Sequence, residues 1–314
     1  CIVDAFAAKG CNGTDLASCL CADIALQAGL SECVQTSCTF ADQVVAGRIE
    51  TEICASYPKE SRSSEVISVT IAGCVIVFPV IALRLYSRLR YAKGFSGDDF
   101  ATIAAAVAAI NLYNASIGFG MHYWTIPVET GTLILKLFYL NSIVYMVLLV
   151  VGKMAILLVY LRIFPVPTIR HITWALLCLL PVLEAVYTLL TALQCIPIES
   201  IWDRLITARR CIDINAVIYS RGILSIVEDV AILILPMKQI WQLQIQRHRR
   251  IILVTLFSIG SFACLTSMIR MKYAVSYSTT FDATWDGVDI VVWSAVEKFC
   301  ALLCGSLPAL RPLV

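Results

Sequence analysis

Long apolar runs, broken by short polar segments, fill the chain from residue 66 onward. A helix needs about 20 largely apolar residues to cross the hydrocarbon core of a bilayer. Buried helices of a soluble protein would need polar faces, which the first, fourth and sixth runs lack. The pattern therefore predicts seven membrane-spanning helices, at Val66–Leu85, Phe100–Phe119, Leu133–Tyr160, Ile172–Leu193, Val217–Leu235, Ile251–Ile269 and Val288–Leu307.

The first 60 residues have a different pattern. They hold seven of the 14 cysteines, and they contain no apolar run long enough to span a bilayer. So short a segment buries too little apolar surface to fold without crosslinks. A zinc site is the alternative, but the segment has no histidine and no Cys-x2-Cys pair, so disulfides are favoured. The sequence predicts an all-α protein with a small disulfide-stapled helical head (1–60), a linker (61–65) and a seven-helix transmembrane bundle (66–314).

The overall composition excludes several functional classes. The chain is 59% hydrophobic and 15% charged, whereas soluble proteins carry about 25% charged residues. This apolar composition excludes a cytosolic enzyme and a disordered tail. A net charge of +2 is too small to indicate a nucleic-acid-binding surface. Since no nucleophile–base pair or metal cluster stands out in the sequence, we expect no enzymatic activity.

The distribution of charge predicts the orientation. Cytoplasmic loops of membrane proteins carry an excess of Lys and Arg. With the head outside, eleven basic residues fall in predicted inner loops and five in outer loops, the five being Arg204, Arg209, Arg210, Arg270 and Lys272. Disulfides also persist on the outer side. We expect a multi-pass protein of the cell membrane with an extracellular head, a signal sequence upstream of Cys1 and a tail downstream.

The cysteine spacing of the head is similar to that of a known domain family. The stretch Cys11-Asn12-Gly13-Thr14-Asp15-Leu16-Ala17-Ser18-Cys19-Leu20-Cys21 resembles the fungal CFEM domain, which has eight cysteines. This chain matches the last seven, and spacing alone does not choose among the connectivities. The resemblance implies three bridges and a fourth to a cysteine upstream, namely Cys1–Cys33, Cys11–Cys19, Cys21–Cys54, and Cys38 with the missing residue.

The same resemblance implies a haem site, because some CFEM domains bind ferric haem through the aspartate at the position of Asp15. The head has neither His nor Met, and a carboxylate, as a hard oxygen ligand, favours Fe(III). The alternative is that Asp15 caps the helix expected to begin near Leu16. Both roles stay open. Asn12-Gly13-Thr14 also fits the pattern of an N-glycosylation site.

Polar residues inside the predicted spans fall on helical stripes. They are interhelical hydrogen-bonding groups or the lining of a ligand or ion cavity, and both interpretations stay open. Lys136 and Lys153 lie near opposite ends of the third span and are expected to snorkel. For Lys298 a retinal Schiff base is disfavoured against a paired lysine. The acidic and basic residues of the stripes are Arg221, Glu228, Asp229, Glu184, Asp289 and Glu297.

Cysteines in the second half of the chain are of two kinds. Cys195 and Cys211 share one predicted outer loop, where an oxidising compartment favours a disulfide. The others lie within spans and are expected to be small packing residues, namely Cys74, Cys178, Cys264, Cys300 and Cys304.

Several motifs of the bundle resemble fungal rhodopsin-domain integral membrane proteins. They are Glu199–Trp202, Ile234–Trp241, Trp293–Glu297 and Leu307–Leu313. The resemblance implies a receptor that senses an extracellular ligand or surface and signals to a G protein or another cytoplasmic partner. The runner-up is haem or iron acquisition, with the bundle as anchor or conduit. Span three ends in Tyr160-Leu161-Arg162, without the Asp/Glu-Arg-Tyr switch of better-known receptors, so G-protein coupling rests on the resemblance alone.

Overall fold

The structure, a computed structural model, describes residues 16–91, 98–164, 166–202, 206, 209–237, 247–277 and 280–306. This part of the chain is mostly helical, as the sequence predicts. Within it, the strands are one short antiparallel pair, Cys195–Ile196 with Arg210–Cys211.

The described part of the head consists of three helices, α1 (Leu16–Ala22), α2 (Ile24–Ser37) and α3 (Phe40–Ile53). The Asp23 carboxylate caps α2 by accepting from the Leu26 N–H at 3.1 Å, and Thr39 caps α3 in the same way. Such caps satisfy the backbone N–H groups that a helix start leaves unpaired. The small apolar core contains Leu20, Leu26, Leu30, Cys21 and Cys54.

After the head, the described residues form seven long helices. Each of the seven predicted apolar runs coincides with one of them. They are α4 (Ser63–Tyr91), α5 (Asp98–Ser116), α6 (Val128–Ile163), α7 (Pro167–Ala192), α8 (Ile214–Ile234), α9 (Arg247–Tyr277) and α10 (Ala283–Ser306). The last helix, α10, packs against α4, α6 and α9 and so lies at the centre of the bundle. At one contact, a Cβ atom at Gly152 of α6 would lie 2.8 Å from the Ala301 Cβ of α10, which explains the glycine there.

Three of the described helices are long and apolar enough to cross a membrane, at Ser63–Leu83, Val128–Arg162 and Pro167–Ala192. The prediction of seven spans is thus supported for these three by length and composition. Helix α8 falls short because it contains Arg221, Glu228 and Asp229. Helix α10 likewise combines apolar residues with several charged ones.

The second predicted span ends too late. It runs to Phe119, whereas α5 ends at Ser116. Gly118 and Gly120 adopt φ angles of 114° and 99°, a region that glycine enters without steric cost. The glycines therefore turn the chain out of the helix, although the apolar character continues past it.

Candidate functional site

A buried lysine joins α6 to α8 inside the bundle. The Lys153 ammonium donates to the Ser225 hydroxyl at 3.0 Å and to Glu228 Oε2 at 2.9 Å, and it lies 3.0 Å from Asp229 Oδ1. Its side chain is 8% exposed. The expectation that Lys153 snorkels is wrong, because its ammonium meets two carboxylates and a hydroxyl of the neighbouring helix.

An arginine joins α8 to α7. Arg221 Nη2 donates to Glu184 Oε2, and Nη1 lies 3.9 Å from Glu228 Oε2. Glu228 therefore faces both Arg221 and Lys153. The Nε and Nη1 atoms of Arg221 are buried and have no hydrogen-bond partner among the described residues. Since a guanidinium has five N–H donors in a planar fork, Arg221 can still donate to another acceptor.

Glu297 of α10 extends these contacts to α6 and α9. Its carboxylate accepts from the Tyr145 hydroxyl at 2.6 Å, from Arg270 Nε at 3.0 Å and from the Ser267 hydroxyl at 2.5 Å. The Ser267 hydroxyl also lies 3.0 Å from Asp229 Oδ2. The polar contacts therefore run without a break from α10 back to α8.

We call the seven charged residues of this cluster the ion network. Five helices, α6 to α10, contribute to it. Removing one partner of a buried pair leaves an uncompensated charge and costs about 3–5 kcal/mol. Ionisable groups within membrane-spanning segments are rare and are candidates for functional sites. The network consists of Lys153, Glu184, Arg221, Glu228, Asp229, Arg270 and Glu297.

The structure brings five of the six predicted stripe residues into the ion network. The exception is Asp289, which pairs with Arg62 near the start of α4. Sequence reasoning missed Arg270, which it assigned to an outer loop and which lies buried within α9. The available signal was its spacing of three residues from Ser267, which puts both on one helical face.

A cavity of about 210 Å³ lies beside the ion network, and we call it the bundle cavity. Among its described lining residues the charged ones are Arg221 and Arg270. Polar groups of Asn141, Tyr145 and Thr191 line the same space, and the remaining walls are mostly apolar. The bundle cavity therefore combines a mostly apolar lining with two cationic groups.

Lys298 lies close to this cavity without lining it. It is 2% exposed, and its ammonium donates to Asn141 Oδ1 at 3.4 Å. The same ammonium lies 5.8 Å from the centre of the Tyr145 ring, within the range of a cation–π contact. These partners fit the interpretation of Lys298 as a paired lysine.

A larger cavity of about 680 Å³ lies between the head and the bundle, and we call it the junction cavity. Helices α2 and α3 form one wall, while Trp124, Trp202 and Leu135 belong to the opposite one. Leu135 borders both cavities. A ligand that enters between the head and the bundle therefore lies next to the bundle cavity.

Residues of the predicted linker hold the head against the bundle. The Arg62 guanidinium makes paired contacts at 3.0 Å with both carboxylate oxygens of Asp289, and it also binds Glu65. The hydrogen bonds to Glu65 and Asp289 raise the pKa of Arg62 further above its usual range. Nearby, the Trp124 indole donates to Gln27 Oε1 of the head at 2.8 Å. The joint is therefore made of specific polar contacts.

One carboxyl of the head is unusual. Glu50 of α3 borders the junction cavity, and its Oε1 atom is buried without a hydrogen-bond partner among the described residues. Burial raises the pKa of Glu50 to about 7. Near neutral pH this group is therefore divided between its two protonation states.

Most described cysteines of the head, and both cysteines of the loop between α7 and α8, form disulfides. The structure contains the Cys21–Cys54 and Cys195–Cys211 disulfides. Cys19 and Cys33 are also disulfide-bonded, whereas Cys38 carries a free, exposed thiol. The bridges to Cys1 and Cys11, glycosylation at Asn12 and haem ligation by Asp15 fall outside the described residues and stay predictions.

The cysteines within the predicted spans carry free thiols. Cys264, Cys300 and Cys304 are buried, in keeping with a packing role. Cys178 is exposed on the surface of α7, so the expectation that it packs inside the bundle is wrong. The residue lies on a face of the helix that points away from its neighbours.

Two protein-family models together match nearly the whole chain. Residues 83–314 match the model of the fungal rhodopsin domain, and residues 1–55 match that of the CFEM domain. Both resemblances noted in the sequence are thereby confirmed. No solved structure matches the chain.

The chain is similar to several fungal proteins. It is 32% identical over 207 residues to a SAT4 family membrane protein of Emericella nidulans, covering 65% of this chain and 52% of the relative. It is 26% identical over 246 residues to Receptor GIN3 of Arthrobotrys oligospora, covering 74% and 58%. Fugralins biosynthesis cluster protein 2 of Gibberella zeae is 25% identical over 260 residues, covering 79% and 64%. The chain thus spans about half to two thirds of the length of these relatives.

Proposed function

Since the chain belongs to the fungal rhodopsin domain family and begins with a CFEM domain, we propose that it is a receptor-like protein of the cell membrane. In this proposal it crosses the membrane seven times, has its head outside and catalyses no reaction. Three apolar helices, the excess of basic residues in the predicted inner loops and the oxidised cysteines of the head support this arrangement. One relative carries the name Receptor GIN3.

The contact between the bundle cavity and the ion network carries the proposal. Arg221 and Arg270 line the cavity, and each also pairs with a carboxylate of the network. A ligand that accepts from the free donors of Arg221 places its own acceptors beside the pairs with Glu184 and Glu297. Because both carboxylates are buried, a change in the electrostatics of these pairs favours a shift of the helices that carry them. Ligand binding would thus bias the packing of α7, α8, α9 and α10.

The test is recovery of a cytoplasmic signalling partner. The tagged full chain is purified from its native membranes under mild conditions, and a G-protein α subunit is sought by mass spectrometry. We expect its recovery with the wild type, and a several-fold change with Glu297→Gln, which weakens the contacts to Arg270 and Ser267. The matched control is Glu129→Gln, because the Glu129 side chain is 76% exposed and pairs only with Arg48 among the described residues. Absence of any signalling partner from wild-type membranes contradicts the receptor function.

The CFEM match favours a second function, the binding of ferric haem by the head in iron acquisition. By resemblance to haem-binding CFEM domains, Asp15 would hold the iron, and the head contains no His or Met that could replace it. The full chain is titrated with ferric haem and followed by its absorption spectrum. We expect Asp15→Ala to abolish the bound spectrum and Asp42→Ala, on exposed α3, to leave it unchanged. An unchanged spectrum with Asp15→Ala rules out this ligand.

A further inference from the structure

We propose that the bundle cavity binds a small monocarboxylate with an apolar tail, and that Arg221 holds the carboxylate. This inference rests on the receptor function above and names its ligand class. Its basis is the unmet hydrogen-bonding capacity of Arg221, the sign of the charge that lines the cavity and the apolar character of the remaining walls.

The charge that faces the cavity is positive. Arg221 and Arg270 line it, whereas the carboxylates that pair with them, Glu184 and Glu297, do not. The carboxylates lie behind the guanidinium groups as seen from the cavity. The arginines therefore attract an anion that enters the cavity and repel a cation.

The hydrogen bonds of Arg221 are incomplete. The residue is 7% exposed, and its Nε and Nη1 atoms have no hydrogen-bond partner among the described residues. Thr191 Oγ1, which lines the same cavity, is also buried without a partner in this part of the chain. Buried donors without acceptors cost free energy, which a ligand with suitable oxygens recovers.

A planar carboxylate fits these donors. The fork of a guanidinium matches the two oxygens of a carboxylate, and such charge-assisted pairs are stronger than neutral hydrogen bonds. Phosphate and sulfate also accept from arginine, but they carry polar oxygens on every side. Beside the two arginines, the cavity has apolar lining residues such as Leu135, Met146 and Val217. An anion with a hydrocarbon tail therefore suits it better than an inorganic one.

The volume sets the size of the ligand. The bundle cavity holds about 210 Å³, less than the roughly 300–1,000 Å³ of sites for drug-sized molecules. A fatty acid of medium chain length is of this size. Its tail would point toward Leu135 and so toward the junction cavity, which is three times as large and apolar in part. Longer tails would extend in that direction.

Octanoate serves as the probe, and 1-octanol is the matched ligand without a charge. The wild-type full chain is placed in lipid nanodiscs, and binding is measured by the shift in thermal unfolding, corrected with empty nanodiscs. The infrared band of 13C-labelled octanoate reports the carboxylate. We expect octanoate to bind about ten- to hundred-fold more tightly than 1-octanol, as charge-assisted hydrogen bonds predict. We also expect the carboxylate band to shift on binding.

Three variants test the assignment to Arg221. Arg221→Lys keeps a cation beside Glu184 but removes the fork, so it should weaken octanoate about ten-fold or more and leave 1-octanol unchanged. Ser294→Leu fills the cavity without changing Arg221, so it should weaken both ligands. Ile223→Phe is the control, because Ile223 lies on the same helix and is 58% exposed, and it should change neither.

Equal binding of octanoate and 1-octanol by the wild type, or no shift of the carboxylate band, overturns the proposal. So does unchanged octanoate binding by Ser294→Leu, a result that stands even where Arg221→Lys fails to fold. Selective binding of octanoate without any recovered signalling partner contradicts the receptor function and leaves the carboxylate site in place. Recovery of the partner without selectivity for octanoate contradicts the site alone.

Discussion

His122 Nδ1 lies 2.6 Å from Asp282 Oδ2, and this contact ties the loop before α6 to the start of α10. The imidazole stacks between two indoles, with ring centres 4.7 Å from Trp124 and 4.0 Å from Trp285. Asp282 Oδ1 also accepts from the Tyr123 N–H at 2.9 Å. Because Trp124 binds Gln27 of the head, the His122–Asp282 pair links the head to the last helix through one aromatic stack.

The His122–Asp282 contact should contribute measurably to stability. His122→Phe keeps an aromatic ring between the indoles and removes the hydrogen bond, so we expect a loss of about 1–3 kcal/mol. Thermal unfolding of the full chain in detergent measures this loss, with Tyr113→Phe on the exposed face of α5 as control. In a double-mutant cycle, His122→Phe should cost much less in the Asp282→Asn background. Equal costs in both backgrounds would mean that the contact contributes nothing.

Glu50 should make the stability of the chain depend on pH. Burial raises its pKa from 4.5 in the unfolded chain to about 7 in the folded one. Between these values the folded chain holds a proton that the unfolded chain releases, so the contribution of Glu50 is complete below pH 4.5 and is lost as the pH rises through 7. Glu50→Gln should remove this slope and stabilise the chain at pH 8 by about 1–2 kcal/mol.

Thermal unfolding of the full chain at several pH values between 4 and 8 tests the role of Glu50. Glu52→Gln is the matched control, because Glu52 lies on the same helix and is exposed. The slope of the control should equal that of the wild type. A Glu50→Gln variant with the wild-type slope would show that another group titrates.

The Cys195–Cys211 disulfide should stabilise the loop between α7 and α8. The two cysteines are 16 residues apart in sequence, and closing a loop of this length is worth about 3 kcal/mol in the chain-entropy model. The double variant Cys195→Ser/Cys211→Ser should lose about this much in equilibrium unfolding. Cys178→Ser, at an exposed free thiol, should leave stability unchanged. If the double variant is as stable as the wild type, contacts other than the disulfide hold the loop in its folded conformation.

The sequence predicts the helices well, because apolar runs of span length leave the backbone no other way to satisfy its hydrogen bonds in a membrane. It also places Arg221, Glu228 and Asp229 on one stripe, since they share one helix. Contacts between helices are less accessible, because the pattern of one helix does not fix its rotation against its neighbours. For this reason the pairing of Asp289 with Arg62 cannot be predicted from the stripe that Asp289 shares with Glu297.

A residue at the edge of an apolar run is the hardest case. Arg270 follows the sixth predicted span directly and so resembles the first residue of a loop, yet α9 continues to Tyr277 and buries it. Lys153 lies near the end of the third predicted span, where a long side chain usually reaches the surface. Its partners are on another helix, and only the packing of α6 against α8 brings them together.

Lys153 is therefore the most informative residue of the ion network for mutation. Lys153→Met fills a similar volume but removes the cation that faces Glu228 and Asp229. Asp229 then lacks its cation and Glu228 keeps only Arg221 at 3.9 Å, so we expect a loss of about 3–5 kcal/mol in equilibrium unfolding of the full chain. The control is Lys136→Met on the same helix, whose ammonium lies 5.3 Å from the Trp202 ring. This cation–π contact is worth about 1 kcal/mol at most.

A second substitution separates lost pairing from lost packing at Lys153. Asp229→Asn in the Lys153→Met background removes the charge that the first substitution leaves without a cation, so it should restore about half of the lost stability. In the wild-type background the same substitution weakens the contact to Lys153 and should destabilise the chain. The sign of the effect of Asp229→Asn thus reverses between the two backgrounds if charge pairing dominates. Destabilisation in both would mean that the shape of the side chains at this position, rather than their charge, stabilises the bundle.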